Sequence, residues 1–281
     1  MGQPQLDHKK TTPLTVEEKE QHLRSLMREM QTVLVAYSGG VDSSYLALIA
    51  TQELGRNAFC VTGLSPSVSQ KQREEAFEIA AEFNFNFKTI ETDELKNPLY
   101  QANPNNRCYH CKTELYGKLA TLARENKIDF ILDGANTDDI GDYRPGRTAA
   151  AEKDIRSPLI EVGLSKNEIR EFSKRHNLST WSQPSSPCLS SRIAYGVPVT
   201  IERLSKVERG EQIVREFGFR EFRVRVHDEL VRLEIAPGEM QMALNINITT
   251  KIAEKFRRLG FKYVTLDLHG YRSGAMNEVL I

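Results

Sequence analysis

Two groups of residues in this 281-residue chain are of the kind that carry chemistry. The first is the run Ser38-Gly39-Gly40-Val41-Asp42-Ser43-Ser44. Adjacent glycines let a backbone turn tightly and approach a ligand with no Cβ in the way. Hydroxyls and loop amides donate to anionic oxygens, and a carboxylate beside them can help hold a divalent cation. Polyphosphate is the natural occupant of such a loop. Neither the Gly-Lys-Ser/Thr of a Walker A loop nor a G-x-G-x-x-G fingerprint is present.

The second group is the cysteines. Cys108 and Cys111 frame a C-x-x-C, and Cys188 lies in the Pro/Ser-rich run PSSPCLSSR. Three readings compete for this trio. A structural zinc needs a fourth ligand, and the only close candidate, His110, sits awkwardly inside the C-x-x-C. A redox disulfide between Cys108 and Cys111 leaves Cys188 unexplained. A 4Fe-4S cluster on three cysteines leaves one iron open to substrate or to exogenous sulfide. Cys60, in the apolar run AFCVT, reads instead as a small buried hydrophobe.

These residues need elements to position them. Val33 to Ala36 is a continuous apolar run, as in a parallel strand buried on both faces, and Tyr45, Leu46, Leu48 and Ile49 follow at helical spacing with Gly55 as the stop. The glycine loop therefore falls between a strand end and a helix N-terminus, whose unpaired N–H groups and dipole attract anions. Thr15 and Glu18 form a capping-box pattern opening a helix through about Met30. Strands at 58–62, 86–91 and 130–132 alternate with helices at 70–83 and 115–126, and the C-x-x-C falls in loop-like sequence after Asn97-Pro98 and Asn103-Pro104. Asp133, Asn136 and Asp138 follow the third of these strands, where they serve either the turn or a nucleotide and its Mg²⁺. The alternation predicts a doubly wound parallel α/β sheet, Rossmann-like, with its crevice at the carboxyl ends of the strands. From residue 200 the pattern becomes helix (201–217), strands (221–226 and 230–235), helix (239–259) and strand (261–267), a smaller α+β domain. Gly196 and Pro198 punctuate the chain between the two, giving a loose segment 1–14, a first domain 15–198 and a second domain 199–281.

Lysine plus arginine and aspartate plus glutamate each total 38, so no global field favours nucleic acid. No run approaches the roughly 18 apolar residues of a membrane span, and MGQPQLDHKKTT lacks the apolar core of a signal peptide. The chain reads as globular and cytoplasmic, with no nucleic-acid or membrane partner.

Ser-Gly-Gly-Val-Asp-Ser resembles the PP-loop signature of ATP pyrophosphatases, in which ATP is split between its α and β phosphates. With RCYHCK (Arg107 to Lys112), DGANTDD (Asp133 to Asp139), PCLSSRIAYG (Pro187 to Gly196) and FRVRVHDELVRLEI (Phe222 to Ile235) in order, the chain resembles the LarE family over about residues 15–281. These are ATP-dependent sulfur transferases of nickel-pincer nucleotide (lactate racemase cofactor) synthesis. The resemblance implies adenylation of the carboxylates of pyridinium-3,5-biscarboxylic acid mononucleotide and displacement of AMP by sulfur. It implies that Ser38, Gly39, Gly40, Val41, Asp42, Ser43, Ser44 and Asn136 bind the nucleotide, with Asp42 also on Mg²⁺. Arg223 and Arg225 alternate on one strand face and suit a phosphate; with Arg192 they are expected at the substrate's 5′-phosphate. Lys112 and Glu211 stay undecided. Some family members sacrifice the sulfur of the cysteine matching Cys188, and others, with three cysteines, use a 4Fe-4S cluster. The pattern here is the latter, making Cys108, Cys111 and Cys188 catalytic cluster ligands fed by a sulfide donor. A homo-oligomer is expected on the same ground. The rival functions are a PP-loop enzyme that thiolates tRNA and a non-catalytic nucleotide or iron-sulfur binding protein.

Overall fold

The computed structural model describes residues 14–141, 145–184, 186–272 and 275–276. The segment expected to be loose, except Leu14, lies outside these residues, as do positions 142–144. In chain order the elements are α1 (Val16–Met30), β1 (Val33–Ala36), α2 (Val41–Leu54), β2 (Ala58–Leu64), α3 (Gln70–Glu82), β3 (Asn86–Glu91), α4 (Pro98–Gln101), α5 (Arg107–Glu125), β4 (Phe130–Leu132), α6 (Pro145–Glu152), α7 (Pro158–Glu161), α8 (Lys166–Arg175), α9 (Ile201–Glu216), β5 (Phe222–His227), β6 (Leu230–Ile235), α10 (Met240–Ala243), α11 (Ile246–Arg258) and β7 (Tyr263–Leu266).

The first four strands form a wholly parallel sheet in the order β3-β2-β1-β4. Short apolar strands pair this way when helices cover both faces. Val33, Val35 and Cys60 face a core shared with α1, α2, α3 and α8, whereas Leu34 and Val61 face one built with α5 and α6. The capping box at Thr15 forms: the Thr15 amide donates to the Glu18 carboxylate at 2.7 Å and the Thr15 hydroxyl accepts from the Glu18 amide. Cys60 is fully buried, and burial pushes its thiol up to about 12, in keeping with a packing role. Because β1 is followed across the sheet by β2 on one side and β4 on the other, the strand order reverses at its carboxyl end. That reversal opens a crevice where loops diverge to opposite faces.

The second sheet, β5-β6-β7, pairs β5 and β6 antiparallel and β6 and β7 parallel. Helices α9 and α11 pack together over it. Gly210 permits their approach, since a Cβ there would stand 2.8 Å from the Phe256 ring.

The sheets are joined by more than the chain. Tyr100, Leu189, Ile193 and Val199 are buried in the apolar core of the second sheet. Asn103, fully buried, donates its side-chain amide to the Ala194 and Val197 carbonyls, each at 2.8 Å, and its own carbonyl accepts from Gly196. The Val199 amide donates to the Gln101 carbonyl, the Tyr100 and Ser190 hydroxyls share a 2.6 Å hydrogen bond, and Ile193 bridges to Val226 of β5.

Two expectations are corrected. The C-x-x-C lies in the first turn and a half of α5, not in a loop. The Pro/Asn punctuation ends at Asn106, one residue before the helix, so turn chemistry stops short of the cysteines. The helix expected over 239–259 divides into α10 and α11, because Asn245 caps a new start by accepting from the Asn247 amide.

Asn103→Ala removes the donor shared by the half-buried Ala194 and Val197 carbonyls and the acceptor of the buried Arg107 guanidinium. The expected cost is about 3 kcal/mol in urea denaturation, and a variant as stable as the unaltered chain would show that the junction does not depend on this side chain.

Candidate active site

The glycine loop sits at the reversal point. Gly39 has φ +75, and a Cβ on it would lie 2.6 Å from the Ala76 Cβ, so both its conformation and its packing on α3 call for glycine. Gly40 caps α2 without a side chain. Ser38 and Ser43 hydroxyls stand 3.0 Å apart, and Ser43 donates to the Gly40 carbonyl. From the neighbouring strand β4, Gly134 presses against the same helix start, where a Cβ would come 2.9 Å from the Ser43 amide nitrogen. Ser38 to Ser44 are thus gathered with the DGANTDD turn.

Asp42 is the electrostatic centre of this crevice. Burial holds its carboxyl above the usual range and Asp139 pushes the same way, opposed by Lys166 and Asn136. The Lys166 ammonium, at the start of α8, donates to Asp42 Oδ2 at 2.5 Å, while the buried Oδ1 has no hydrogen-bond partner among the described residues. A buried carboxylate oxygen without a partner, facing a second carboxylate, fits a hard divalent cation such as Mg²⁺. Asp133 by contrast is saturated, accepting from Tyr116, Ser157 and the Ala135 amide. Asn136 caps the following turn while facing Asp42.

Cys108 and Cys111 lie one turn apart on α5, hence on one face. The charge of Cys188 acts on both, so the trio shares one neighbourhood. Cys108 is exposed, while Cys111 and Cys188 are half-buried, and burial together with the charge of Cys188 raises the thiol of Cys111. Among the described residues, no three His, Cys, Asp or Glu side chains converge as a group that could hold a metal ion. Three thiolates are the donor chemistry a 4Fe-4S cluster takes, and their types, not their convergence, are what suit it. Beside Cys111, burial would lower the ammonium of Lys112, but Tyr116, Asp133 and Cys111 outweigh it and hold it above its usual range. Lys112, Tyr116, Asp133 and Gly134 thereby connect the cysteine helix to the glycine loop.

The three arginines separate. Arg192 is buried, pairs with Glu211 at 2.8 Å and donates to the carbonyls of Pro187 and Cys188, bracing the cysteine's turn. Arg225 pairs with the fully buried Glu234 and donates to the Ser191 carbonyl. Arg223 and Arg192 line a cleft between the start of α3 and β5, together with Ser69, Gln72 and Arg215. The Arg223 guanidinium stacks 4.7 Å from the Tyr271 ring. Burial and the nearby Arg192 hold it below its usual range.

Sequence reasoning missed Lys166, Glu94, Tyr100 and Asn103. Each sits in an ordinary helix start, turn or loop, with no motif to mark it.

Residues 15–121 match the NAD synthase family. An uncharacterized protein of Synechocystis sp. is 42% identical over 265 residues, covering 94% of this chain and 99% of that one. A GMP synthase (glutamine-hydrolyzing) of Thermotoga maritima is 27% identical over 176 residues, 57% of this chain and 35% of its own. The pyridinium-3,5-bisthiocarboxylic acid mononucleotide synthase of Lactiplantibacillus plantarum is 33% identical over 267 residues, 95% of this chain and 96% of that protein. Both sheets and every motif of the crevice fall inside that last match, and the chain belongs to the LarE family of PP-loop ATP-dependent sulfur transferases.

Proposed function

We propose that this protein converts the carboxylates of pyridinium-3,5-biscarboxylic acid mononucleotide to thiocarboxylates, at the cost of ATP, in the cytoplasmic synthesis of a nickel-pincer nucleotide. The observation that carries the reading is the shared neighbourhood of Cys108, Cys111 and Cys188, joined through Lys112, Tyr116 and Asp133 to the PP-loop.

A carboxylate is a poor acyl donor because oxide is a poor leaving group. ATP remedies this: the carboxylate attacks the α-phosphorus, pyrophosphate leaves, and the acyl-adenylate carries AMP as its leaving group. The Ser38 to Ser44 amides and hydroxyls bind the phosphates, and Lys166 turns from Asp42 toward the departing pyrophosphate as its charge develops. Asp42, through Oδ1, is the residue to hold Mg²⁺. Asn136 faces the same edge of the nucleotide. Arg223, lining the cleft, takes the substrate's 5′-phosphate; Arg192 and Arg225 support it from their ion pairs with Glu211 and Glu234.

When bound by Cys108, Cys111 and Cys188, a 4Fe-4S cluster supplies an iron without a protein ligand, at which sulfide from a donor can be held. The half-buried Cys188, on a turn braced by Arg192, also suits direct donation of its own sulfur. We assign residues 15–198 to activation and sulfur transfer and 199–281 to substrate binding and self-association. Ile246 and Leu268, exposed on the second unit, support the latter. No helix among the described residues is long and apolar enough to cross a membrane.

Cys188→Ala is expected to abolish thiocarboxylate formation while sparing substrate-dependent ATP–pyrophosphate exchange; loss of both would detach Cys188 from sulfur delivery. Lys166→Ala should slow that exchange by about 100-fold. Mass spectrometry after turnover decides the sulfur source: a chain lighter by one H₂S at Cys188 refutes the cluster. Arg223→Ala should raise the half-saturating substrate concentration roughly tenfold or more with little change in melting temperature. Arg225→Ala, which leaves the buried Glu234 with Arg232 alone, should cost about 3 kcal/mol of stability.

A further inference from the structure

The cleft between the start of α3 and β5 holds more positive charge than the function above uses. Five cationic side chains line a space of about 190 Å³, against two carboxylates. Each carboxylate already faces a cation of its own: Glu211 pairs with Arg192 at 2.8 Å, and Glu75 with Lys71 at 3.5 Å. Arg225, on the same strand as Arg223, is matched by the buried Glu234. The excess charge of the cleft therefore rests with Arg215, Arg220 and Arg223. A phosphate monoester carries about −1.5 to −2 at neutral pH, which a single guanidinium does not balance.

Arg215 is placed to be the second. It is the basic residue of the last turn of α9. Its guanidinium lies over the Phe222 ring, 5.8 Å from the centroid, as that of Arg223 lies over the Tyr271 ring at 4.7 Å. An aromatic face orients a guanidinium without neutralising it and leaves its in-plane N–H donors for another acceptor. Among the described residues, no carboxylate pairs with Arg215 and no acceptor takes its side-chain N–H groups. Arg220 lines the same cleft from the turn before β5, but it is exposed and no described ring holds its side chain. Ser186 and Leu189, on either side of the Cys188 turn, also line the cleft, so a phosphate gripped here keeps the rest of a nucleotide beside that turn.

We propose that Arg215 is a specificity-determining residue: its guanidinium and that of Arg223 grip the substrate's phosphate dianion together, so that the cleft selects the pyridinium mononucleotide over the nucleoside that lacks the phosphate. Arg192 and Arg225, matched by Glu211 and Glu234, shape the wall and add little net charge. This deepens the reading above and rests on it.

The test uses the full chain and follows substrate-dependent ATP–pyrophosphate exchange, with the dicarboxylate mononucleotide and, separately, with the nucleoside made from it by phosphatase. In Arg215→Ala the half-saturating mononucleotide concentration should rise at least about tenfold, as for one lost charge-assisted contact, with maximal exchange within about twofold. The half-saturating concentration of the nucleoside should stay within about twofold of that of the unaltered chain. Inorganic phosphate, competing with the mononucleotide, should lose about tenfold in potency. Arg215→Lys, which keeps the charge but not the fork, should recover part of the loss. Arg220→Ala makes the same change in net charge and should have a clearly smaller effect. Should Arg215→Ala not fold, Arg215→Gln, which keeps the stem of the side chain, should show the same split between mononucleotide and nucleoside. An unchanged mononucleotide requirement in a folded variant, an equal rise for the nucleoside, or an equal rise from Arg220→Ala overturns the inference. Absence of exchange in the unaltered chain overturns the reading beneath it, and the inference with it.

Discussion

Everything distinctive about this molecule depends on one junction, the contact between residues 100–107 and residues 189–199. Asn103 alone ties its side chain to the Ala194 and Val197 carbonyls and its backbone to Gly196. Arg107, the first residue of α5, donates to Asn103 and stacks 5.8 Å from the Tyr195 ring, so the helix bearing Cys108 and Cys111 starts from the junction itself. Each neutral hydrogen bond here contributes only about 1 kcal/mol net. Their value lies in concentration: they are grouped at one place and share partners, so breaking one weakens others. Without the junction, the turn bearing Cys188 would lose its direct ties to the segment that leads into the C-x-x-C helix.

The charge arrangement follows from where water is excluded. Arg192 and Arg225 are buried and each has a carboxylate, Glu211 or Glu234, because an unpaired guanidinium in such a place is costly. Removing either glutamate would change the charge of the cleft that Arg223 lines. Beside the PP-loop the sign reverses, with Asp42 and Asp139 close together and Lys166 offsetting one of them.

The sheet was legible because its signals are local. Val33 to Ala36, the glycine loop and Gly55 announce strand, turn and helix within one short stretch, and β3, β4 and the Thr15 capping box follow the same short-range rules. The position of the C-x-x-C was not legible: the Asn-rich run before it signals a turn, and only the packing of Tyr116 and Leu119 against Leu34 and Val61 shows how far toward its start α5 is held. The roles of the arginines were legible only as a set. Alternation puts Arg223 and Arg225 on one face, but which of them meets the cleft depends on Glu234, a partner across the hairpin that pairs with Arg223 in register yet takes Arg225 as its ion pair. Glu94 and Lys166 left no trace at all, since their partners lie 29 and 124 residues away in the chain.

The segment from Ser65 to Gln72 explains how the two halves of the site can share one event. It leaves the carboxyl end of β2, beside the strand that carries the PP-loop, and leads into α3, against whose Ala76 Gly39 is packed. On its way it holds the Leu189 amide with the Ser67 carbonyl and the Ser186 carbonyl with Gln72. The PP-loop and the turn carrying Cys188 are thereby both tied to one short element. Activation without sulfur at hand would leave an acyl-adenylate exposed to water. Under the proposed function, one short segment in contact with both the PP-loop and the Cys188 turn keeps activation and sulfur delivery side by side.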